Sequence, residues 1–246
     1  MKTNETTNFF SSIQFIIGLC VIISSVIFSL AFYNARMSTD SISVTGSASE
    51  EVVSDNAKFS GDFSRIVKLS ALKTGYDQMS KDLVIVKDFL KAQKIEDKDI
   101  TISTVSMQQN YDYNQNAPQA EKDYTLRQTV EVSSSNVAQI TALAQATQSI
   151  INKGVIFSVY PVEYFYKNLP EVRVSLLSSA VADAKRRAEE IVSGTGQKVG
   201  ALKSAASGVV QVLPANSLEI SDYGTYDTSK VNKSIMVTVK AIFEIK

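Results

Sequence analysis

The sequence predicts an α+β protein in which long antiparallel strands carry helices packed on the sheet, preceded by one N-terminal transmembrane helix. Three observations lead to this prediction. An uncharged run of 21 residues, 13–33, is long enough to cross a membrane. Beyond it, segments with alternating apolar residues are mixed with segments whose apolar residues recur at helical spacing. Their order, roughly β-β-α-β-β-α-β-α-β-β, lacks the regular βαβ repeat of parallel folds.

Composition excludes several classes of function. The chain of 246 residues has no histidine, which rules out Ser-His-Asp triads, Cys-His pairs and histidine-ligated zinc. Its one cysteine, Cys20, rules out an intrachain disulfide and a thiolate metal cluster. The 25 basic and 25 acidic residues balance, which argues against nucleic-acid binding. We therefore predict no catalytic residue, cofactor site or metal site, and no enzyme activity.

The N-terminal region divides into a tail (1–12), an anchor (13–33) and a linker (34–40), followed by an ectodomain (41–246). A cleaved signal is the alternative, although its apolar region is normally shorter and Tyr33 is bulky for a cleavage site. A buried helix of a soluble fold is a third alternative. Leu19 precedes Cys20 where a lipoprotein needs a small residue, so Cys20 is predicted to be an ordinary apolar residue.

Charges flanking the anchor predict its orientation. Lys2 and the amino terminus precede the anchor and Arg36 follows it, which favours a cytoplasmic amino terminus. We expect a single-pass protein of the inner, cytoplasmic membrane, bound through residues 13–33, with the ectodomain in the periplasm or outside the cell. If the segment is a cleaved signal, the protein is secreted to the periplasm instead.

The first part of the ectodomain predicts two strands, a helix and a hairpin. A short strand covers 41–47, and a second covers 52–69, where Ala57, Phe59, Phe63, Val67 and Leu69 alternate with polar residues. Arg65 falls on the apolar parity, which predicts a bulge or an edge position. Helical spacing follows over 71–93, where Gly75 costs about 1 kcal/mol relative to alanine. A strand from Ile100 contains a second predicted bulge before Val105, and 108–123 form a hairpin tip.

The returning strand begins at Tyr124, and Asn136 is predicted to cap a helix that Gly154 ends. A strand over 155–166 and a long helix from Asn168 follow. The predicted apolar face of that helix is Leu177, Ala180, Val181, Ala184, Ala188 and Ile191. A short strand at 211–214, a polar loop over 217–232 and an alternating strand from Ile235 complete the chain. Two strand-helix-strand runs, 52–107 and 123–166, hint at a duplicated half.

An ordered set of short motifs spans residues 41–246. It comprises Val44-Thr45-Gly46, Ser54-Asp55, Leu90, Ile95, Asp99-Ile100, Tyr111-Asp112, the run 180–189 (AVADAKRRAE), Gly196 and Gly200. In this order the motifs resemble the SIMPL-domain family, a domain of unknown function that includes the periplasmic immunogenic protein and the oxidative-stress-defence protein. The resemblance implies an α+β fold, a cell-envelope location and large ring- or channel-like homo-oligomers, and it implies no catalytic residue.

Three positions depart from the family pattern. Ser54 stands where proline is usual, Lys94 where glycine usually precedes Ile95, and Ile102 where threonine is common. These departures bear on loop geometry more than on the fold.

Tyrosines in the two polar loops are the candidate interface residues, because tyrosine is enriched at interfaces. They are Tyr111, Tyr113, Tyr223 and Tyr226. Other candidates have plainer explanations. Glu96, Asp97 and Asp99 lack calcium-loop spacing and fit a solvated turn, and Asp55 fits a turn better than catalysis. The basic run 185–187 fits a solvated helix face paired with Glu189 and Glu190, and Gly194 to Gly196 fit a helix end.

We therefore expect a membrane-anchored envelope protein whose SIMPL-like ectodomain self-associates, with a structural, scaffold or stress-related role. The main alternative is a module that binds an envelope ligand, a glycan or peptide, through the tyrosine-bearing loops. A carboxylate-dependent hydrolase is a further alternative, and it requires two carboxylates that converge in a cleft.

Overall fold

The computed structural model describes residues 4–37, 40–110, 122–217 and 221–246. Its five helices in these ranges are α1 (Asn4–Met37), α2 (Leu72–Ala92), α3 (Val137–Gln145), α4 (Gln148–Ile151) and α5 (Leu169–Ser193). The strands are β1 (Ser41–Val53), β2 (Asn56–Lys68), β3 (Ile100–Ile102), β4 (Ser106–Gln109), β5 (Asp123–Ser134), β6 (Phe157–Val159), β7 (Glu163–Phe165), β8 (Val199–Pro214), β9 (Thr225–Tyr226) and β10 (Asn232–Ile245). This is the predicted mixture of helices and sheets.

The chain forms two compact units. The first contains Met1–Gly46, Val181–Ala206 and Val239–Lys246, and the second contains Ser47–Ala180 and Ser207–Thr238. In the first unit, Val44, Ala184, Ala188, Ala241 and Phe243 form a small apolar core. The second unit holds a core under a six-stranded sheet and a smaller cluster around Leu176, Val212 and Ile235.

The six-stranded sheet lies within the second unit and has the order β3-β5-β2-β6, with β4 paired to β5 and β7 paired to β2. The predicted alternation decides which face is buried. The apolar parity of β2 and β5 packs against α2 and α3, and its members include Ala57, Phe59, Phe63, Leu126, Val130 and Val132. The opposite parity forms the face turned away from α2 and α3, which we call the helix-free face, and it carries polar side chains.

Strand registers in this sheet reveal an internal repeat. A shift of 69 residues places β2 on β5, and a shift of 57 places β3 and β4 on β6 and β7. Thus Ile100 faces Val132 as Phe157 faces Phe63, and Ser106 faces Arg127 as Glu163 faces Lys58. The two strand-helix-strand runs are therefore halves of one duplicated arrangement, which residue identity alone did not establish.

Both edge strands of the sheet contain a one-residue bulge. Between Ile102 and Ser106 the chain has one residue more than the facing part of β5, as predicted for this segment. The predicted strand over 155–166 is wrong as a single element, because it divides into β6 and β7 at Pro161, which has no N–H for the ladder. The bulge between β6 and β7 is equivalent to the one between β3 and β4. At the first, the Tyr160 N–H donates to the Ser60 carbonyl, and at the second, the Ser103 N–H donates to the Thr129 carbonyl.

Arg65 lies on the apolar face of β2 because it pairs with a buried carboxylate there. The register of β2 with β5 runs through Arg65 without a bulge, while the pairing of β2 with β6 stops at Phe63, so the predicted edge position is the alternative found. On the helix-covered side, the Arg65 guanidinium makes two hydrogen bonds to the Asp82 carboxylate, at 2.7 and 2.8 Å. A bidentate pair of this kind satisfies a buried carboxylate on α2.

Helix α2 matches its prediction, and its glycine has a packing role. A Cβ at Gly75 would lie 2.8 Å from a methyl of Val67 and 2.9 Å from one of Leu126. The glycine therefore lets α2 approach the sheet closely. After the helix, Lys94 has φ +60°, so this chain places lysine in the left-handed conformation that glycine adopts more easily.

The second half of the repeat has a shorter helical connection. Asn136 caps α3 as predicted, because its side chain accepts the Gln139 N–H at 3.1 Å. The predicted continuous helix to Ile151 is wrong, since the chain turns at Ala146 and begins α4 at Gln148. Gly154 has φ +82° and ends this region as expected.

A four-stranded sheet has the order β1-β10-β8-β9, and the predicted bounds of two of its strands need correction. The first strand continues to Val53, so Val52 belongs to β1 instead of opening β2. The short strand predicted at 211–214 is the end of the 16-residue β8. Strand β10 matches its prediction, with Ile235, Val237, Val239, Ala241 and Phe243 buried.

Helix α5 begins and ends as predicted, but its buried face is rotated from the predicted one. The buried residues are Leu176, Ala180, Ala184, Ala188 and Val192. Ile191, predicted inside, is 61% exposed, and Asp183, which is not part of the predicted apolar face, is buried as well.

Candidate functional site on the helix-free face of the sheet

Charged and hydroxyl side chains occupy the outward parity of the two central strands. On β2 they are Lys58, Ser60 and Asp62, and on β5 they are Arg127, Thr129 and Glu131. Alternation places them there, because the intervening positions, which include the core residues Phe59 and Val130, face the helices. The result is a patch of convergent polar groups on a rigid pair of strands.

Two ion pairs cross diagonally between these strands. The Lys58 Nζ lies 3.0 Å from the Glu131 Oε1, and the Arg127 Nε lies 3.4 Å from the Asp62 Oδ2. Diagonal cross-strand neighbours are within reach of long side chains. The internal repeat relates the two pairs, since Lys58 corresponds to Arg127 and Asp62 to Glu131.

The two ion pairs differ in burial. The Asp62 side chain is 4% exposed and the Glu131 side chain is 42% exposed. Tyr160 accounts for part of the difference, because its hydroxyl donates to the Asp62 Oδ1 at 2.6 Å. This hydrogen bond, together with the negative charge of Asp62, raises the pKa of the Tyr160 phenol. The equivalent residue of the other half is Ser103, which is too short to cover a carboxylate in this way.

Glu163 on β7 adds a second carboxylate beside Lys58. Its Oε2 lies 4.0 Å from the Lys58 Nζ, and Lys58 and Glu163 face each other in the register of β2 with β7. Lys58 thus contacts both Glu131 and Glu163. The three side chains are half-buried, so solvent reaches the group.

A cleft of about 430 Å³ opens over these residues. Its apolar wall is Tyr160, Pro161 and Val162, the bulge between β6 and β7. Its polar lining is Ser60, Thr129, Glu131, Glu163, Thr228 and Ser229. The volume is within the range of small-molecule sites.

Thr228 and Ser229 belong to the loop 221–231, which includes the two-residue strand β9 and is held in place by several hydrogen bonds. Tyr164 donates its N–H to the Thr228 carbonyl at 2.8 Å, and Asp227 accepts the N–H of Ser229 at 3.1 Å. The Lys233 ammonium, fully buried, donates to the Asp227 carbonyl. Burial lowers the pKa of Lys233, and the nearby Asp227 carboxylate acts in the opposite direction.

The predicted interface tyrosines are placed differently from one another. Tyr111 and Tyr113 lie outside the described residues. Tyr223 is 96% exposed at the tip of the loop 221–231. Tyr226 is held against the protein, because its hydroxyl accepts the Tyr166 N–H at 3.0 Å and its ring contacts Phe165. Neither Tyr223 nor Tyr226 lines the cleft.

The acidic candidates occupy turns. Asp55 accepts the Lys167 N–H at 3.0 Å, a structural contact between two chain segments. The preceding Ser54 donates its N–H to the Val231 carbonyl at 2.9 Å, a bond that the proline usual in the family would lack. Glu96 pairs with Lys98 at 2.5 Å on an exposed turn. Among the described residues, no group of three histidine, cysteine or acidic side chains could hold a metal ion.

The basic run on α5 is paired within its own helix. Lys185 contacts Glu189 at 3.8 Å, as predicted. Arg186 and Arg187 instead contact the buried Asp183, with the Arg187 Nε 2.7 Å from its Oδ2. Gly196 has φ +75° and follows the helix, in agreement with a helix end.

Sequence reasoning missed the cleft altogether. It assigned Lys58 and Asp62 to the polar parity of a strand but did not connect them with Arg127 and Glu131, almost seventy residues away. A usable signal was present, because both strands repeat a cation and a carboxylate four residues apart. Pro161 within an otherwise β-branched segment was a second signal of a break at that edge.

Comparisons with known proteins agree with the motif resemblance. A family model described as SIMPL, a protein of unknown function (DUF541), matches residues 42–241. No curated protein matches the chain. Among solved structures, a hydantoinase/carbamoylase family amidase from Burkholderia ambifaria is 12% identical with a TM-score of 0.25, over 54% of this chain and 35% of the amidase. The chain therefore spans about a third of the amidase's length.

An unknown protein from Galdieria sulphuraria is 8% identical with a TM-score of 0.18, over 77% of this chain and 83% of that protein. Both structural similarities are too low to support a statement about fold or function.

Proposed function

The chain belongs to the SIMPL family of proteins of unknown function, and on this premise we propose that it is a membrane-anchored envelope protein that self-associates as a non-catalytic scaffold. Such a role fits the structural or stress-related function expected from the sequence. Its three parts, anchoring, self-association and lack of catalysis, rest on different observations.

Anchoring is supported by the composition of α1. The stretch Phe15–Tyr33 has a mean hydropathy of 2.7, and its side chains are exposed on every side of the helix. An exposed apolar helix of this length needs a lipid or protein environment. A signal sequence has similar properties, so mass spectrometry of the membrane fraction should find the intact N-terminal segment if the helix is an anchor.

Self-association is supported by the edge of β8, and this observation carries the proposal. Strand β10 pairs with β8 on one side, while among the described residues β9 pairs only with Gln211 and Val212 on the other. The six residues 201–206 are exposed on both faces of the strand, and Lys203 is the one charged residue among them. A long edge with small side chains and a single charge is a template for pairing with another strand.

The absence of catalysis is a proposal based on the charged groups. Glu131 and Glu163 both line the cleft, as a carboxylate-dependent hydrolase would require. Lys58 contacts both of them, however, so the two carboxylates have similar surroundings. Acid-base catalysis by two carboxylates depends on surroundings that differ.

The test is the mass of the full-length protein in detergent micelles, measured by size-exclusion chromatography with light scattering. We expect an oligomer for the natural sequence. The double variant L202K/A206K should shift it to monomer, because lysines would face one another across paired β8 edges. The matched control is V174K, which adds a charge at an exposed apolar position of α5.

A monomeric natural protein would contradict the self-association proposal. An L202K/A206K variant that keeps the natural mass would exclude the β8 edge as the contact. Loss of the oligomer in V174K as well would show that the added charge acts generally and not at this edge.

A further inference from the structure

We propose that the cleft on the helix-free face binds an uncharged pyranose unit of an oligosaccharide. A sugar ring presents both apolar C–H faces and polar hydroxyl groups, and the cleft has apolar and polar lining residues that can contact them. The ring of Tyr160, together with Pro161 and Val162, forms an apolar wall. The rest of the lining includes carboxylates and hydroxyls able to bond the sugar hydroxyl groups.

The polar side is suited to hydroxyl donors. Glu131 and Glu163 are half-exposed and present carboxylate oxygens, which accept hydrogen bonds. Ser60, Thr129 and Ser229 add hydroxyls that both donate and accept. Hydrogen bonds from neutral hydroxyls to a carboxylate are charge-assisted and stronger than neutral pairs.

The charge balance favours a neutral ligand. Lys58 is already engaged by Glu131 and Glu163, and Arg127 by the buried Asp62. An anionic ligand would therefore meet two carboxylates without a cation reserved for it, and like charges at short range repel. A neutral sugar keeps both ion pairs in place.

The edge of the sheet argues against an extended peptide. A peptide that adds to the β6–β7 edge needs a continuous ladder of N–H and carbonyl groups. Pro161 removes one donor and the bulge from Tyr160 to Val162 interrupts the register. A compact ring stacked on the bulge is compatible with this geometry.

Comparison of the two halves of the repeat shows that the apolar wall of the cleft is specific to one of them. The equivalent bulge of the other half has Ser103, Thr104 and Val105 in place of Tyr160, Pro161 and Val162. The backbone and one ion pair are reproduced there without the aromatic and proline wall. The sugar site is therefore assigned to the second half.

Calorimetric titration of the full-length protein with cellotetraose and with tetra-N-acetylchitotetraose tests the proposal. The detergent must lack a sugar headgroup, because a maltoside would compete. We expect saturable binding of at least one tetrasaccharide. E163Q should weaken it at least tenfold by removing a charge-assisted acceptor. Y160A should weaken it similarly, and Y160F should retain most of the affinity because the ring remains.

The control variant is E96Q, the same change at an exposed glutamate outside the cleft that also pairs with a lysine. It should bind like the natural protein. Circular dichroism of each variant should match that of the natural protein, so that weaker binding is not a folding defect. The sugar should be recovered intact after incubation.

Absence of binding for both tetrasaccharides would overturn the proposal, as would unchanged affinity in both E163Q and Y160A. Tighter binding of tetra-alanine than of either sugar would replace it with a peptide site. Cleavage of the sugar would replace binding with hydrolysis. The inference does not rest on self-association, because L202K/A206K should bind sugar with unchanged affinity even as a monomer.

Discussion

The two halves of the six-stranded sheet share a backbone and differ in what they carry. Half one is β2, α2, β3 and β4, and half two is β5, α3, α4, β6 and β7. Their registers superpose through constant shifts, and each contributes a lysine or arginine and a carboxylate to the diagonal ion pairs. The cleft lined by Tyr160, Pro161 and Val162 lies beside the bulge of half two.

The difference shows that the register positions polar groups, whereas the side chains at the bulge decide whether they form a site. Tyr160 covers Asp62 and supplies an apolar wall, and Ser103 does neither for Glu131. The halves also secure their helices differently. Half one uses the pair between Arg65 and the buried Asp82, and half two uses the Asn136 cap.

The largest expected effect comes from breaking the Arg65–Asp82 pair, which has no counterpart in half two because Ser134 occupies the position equivalent to Arg65. D82N should reduce the free energy of unfolding by about 3 kcal/mol, since the part-buried Arg65 guanidinium loses the charged partner of its two hydrogen bonds. Urea unfolding of the full-length protein in micelles, followed by circular dichroism, measures this. D77N on the exposed side of α2 is the control and should change little. Equal effects for the two variants would contradict a special role for the pair.

Gly61 tests the symmetry directly, because its counterpart in half two is Val130. A Cβ at Gly61 would lie 2.6 Å from the Phe157 ring and 2.9 Å from the Ser158 carbonyl oxygen. G61V should therefore cost about 3 kcal/mol by overpacking. In the double variant G61V/F157I, part of the loss should return, because isoleucine is the residue at the equivalent position, Ile100. No recovery would show that the backbone oxygen, and not the ring, sets the limit.

Much of this architecture was predictable because its determinants are local. Alternation identified the buried faces of β2, β5 and β10, and the Asn136 cap and the bulge after Ile102 followed from sequence. Strand β8 was not predictable at full length, because residues 201–206 are exposed on both faces and so carry no alternation. The face of α5 was misassigned because Asp183 is buried with two arginine partners that hydropathy treats as surface.

The candidate site was less predictable, because it depends on strand register. Lys58 and Glu131 belong to segments whose pairing is fixed by the whole sheet, and Tyr160 reaches Asp62 across 98 positions of sequence. The sequence instead favours the tyrosines of the polar loops as interface residues, because tyrosine is enriched at interfaces. One of them, Tyr226, packs against the protein. Composition alone cannot distinguish a tyrosine that packs in this way from one exposed at an interface.

The two related ion pairs should differ in their contribution to stability. D62N should cost about 1.5 kcal/mol, because a buried acceptor loses charge-assisted bonds from Tyr160 and Arg127. E131Q should cost less than about 0.5 kcal/mol, because the pair is solvent-exposed and screened. Unfolding in urea at low and high salt measures both, and salt should affect the natural Lys58–Glu131 pair more. A larger loss in E131Q than in D62N would reverse the comparison.

The smallest expected effect is a change of stability at alkaline pH, and it depends on Tyr160 in the bulge of half two. The hydrogen bond to Asp62 raises the pKa of Tyr160 above its usual value of about 10, so the stability it contributes is complete below that pH and is lost as pH rises through the folded pKa. Lys233 contributes in the opposite sense, because its lowered pKa makes stability rise with pH up to about 10.5. Since Y160F keeps Lys233, subtracting its pH profile from that of the natural protein isolates Tyr160. Tyrosinate absorbance should show a late-titrating phenol that is lost in Y160F and titrates earlier in D62N. If the phenol titrates at the same pH in D62N as in the natural protein, the contact with Asp62 does not raise the pKa of Tyr160.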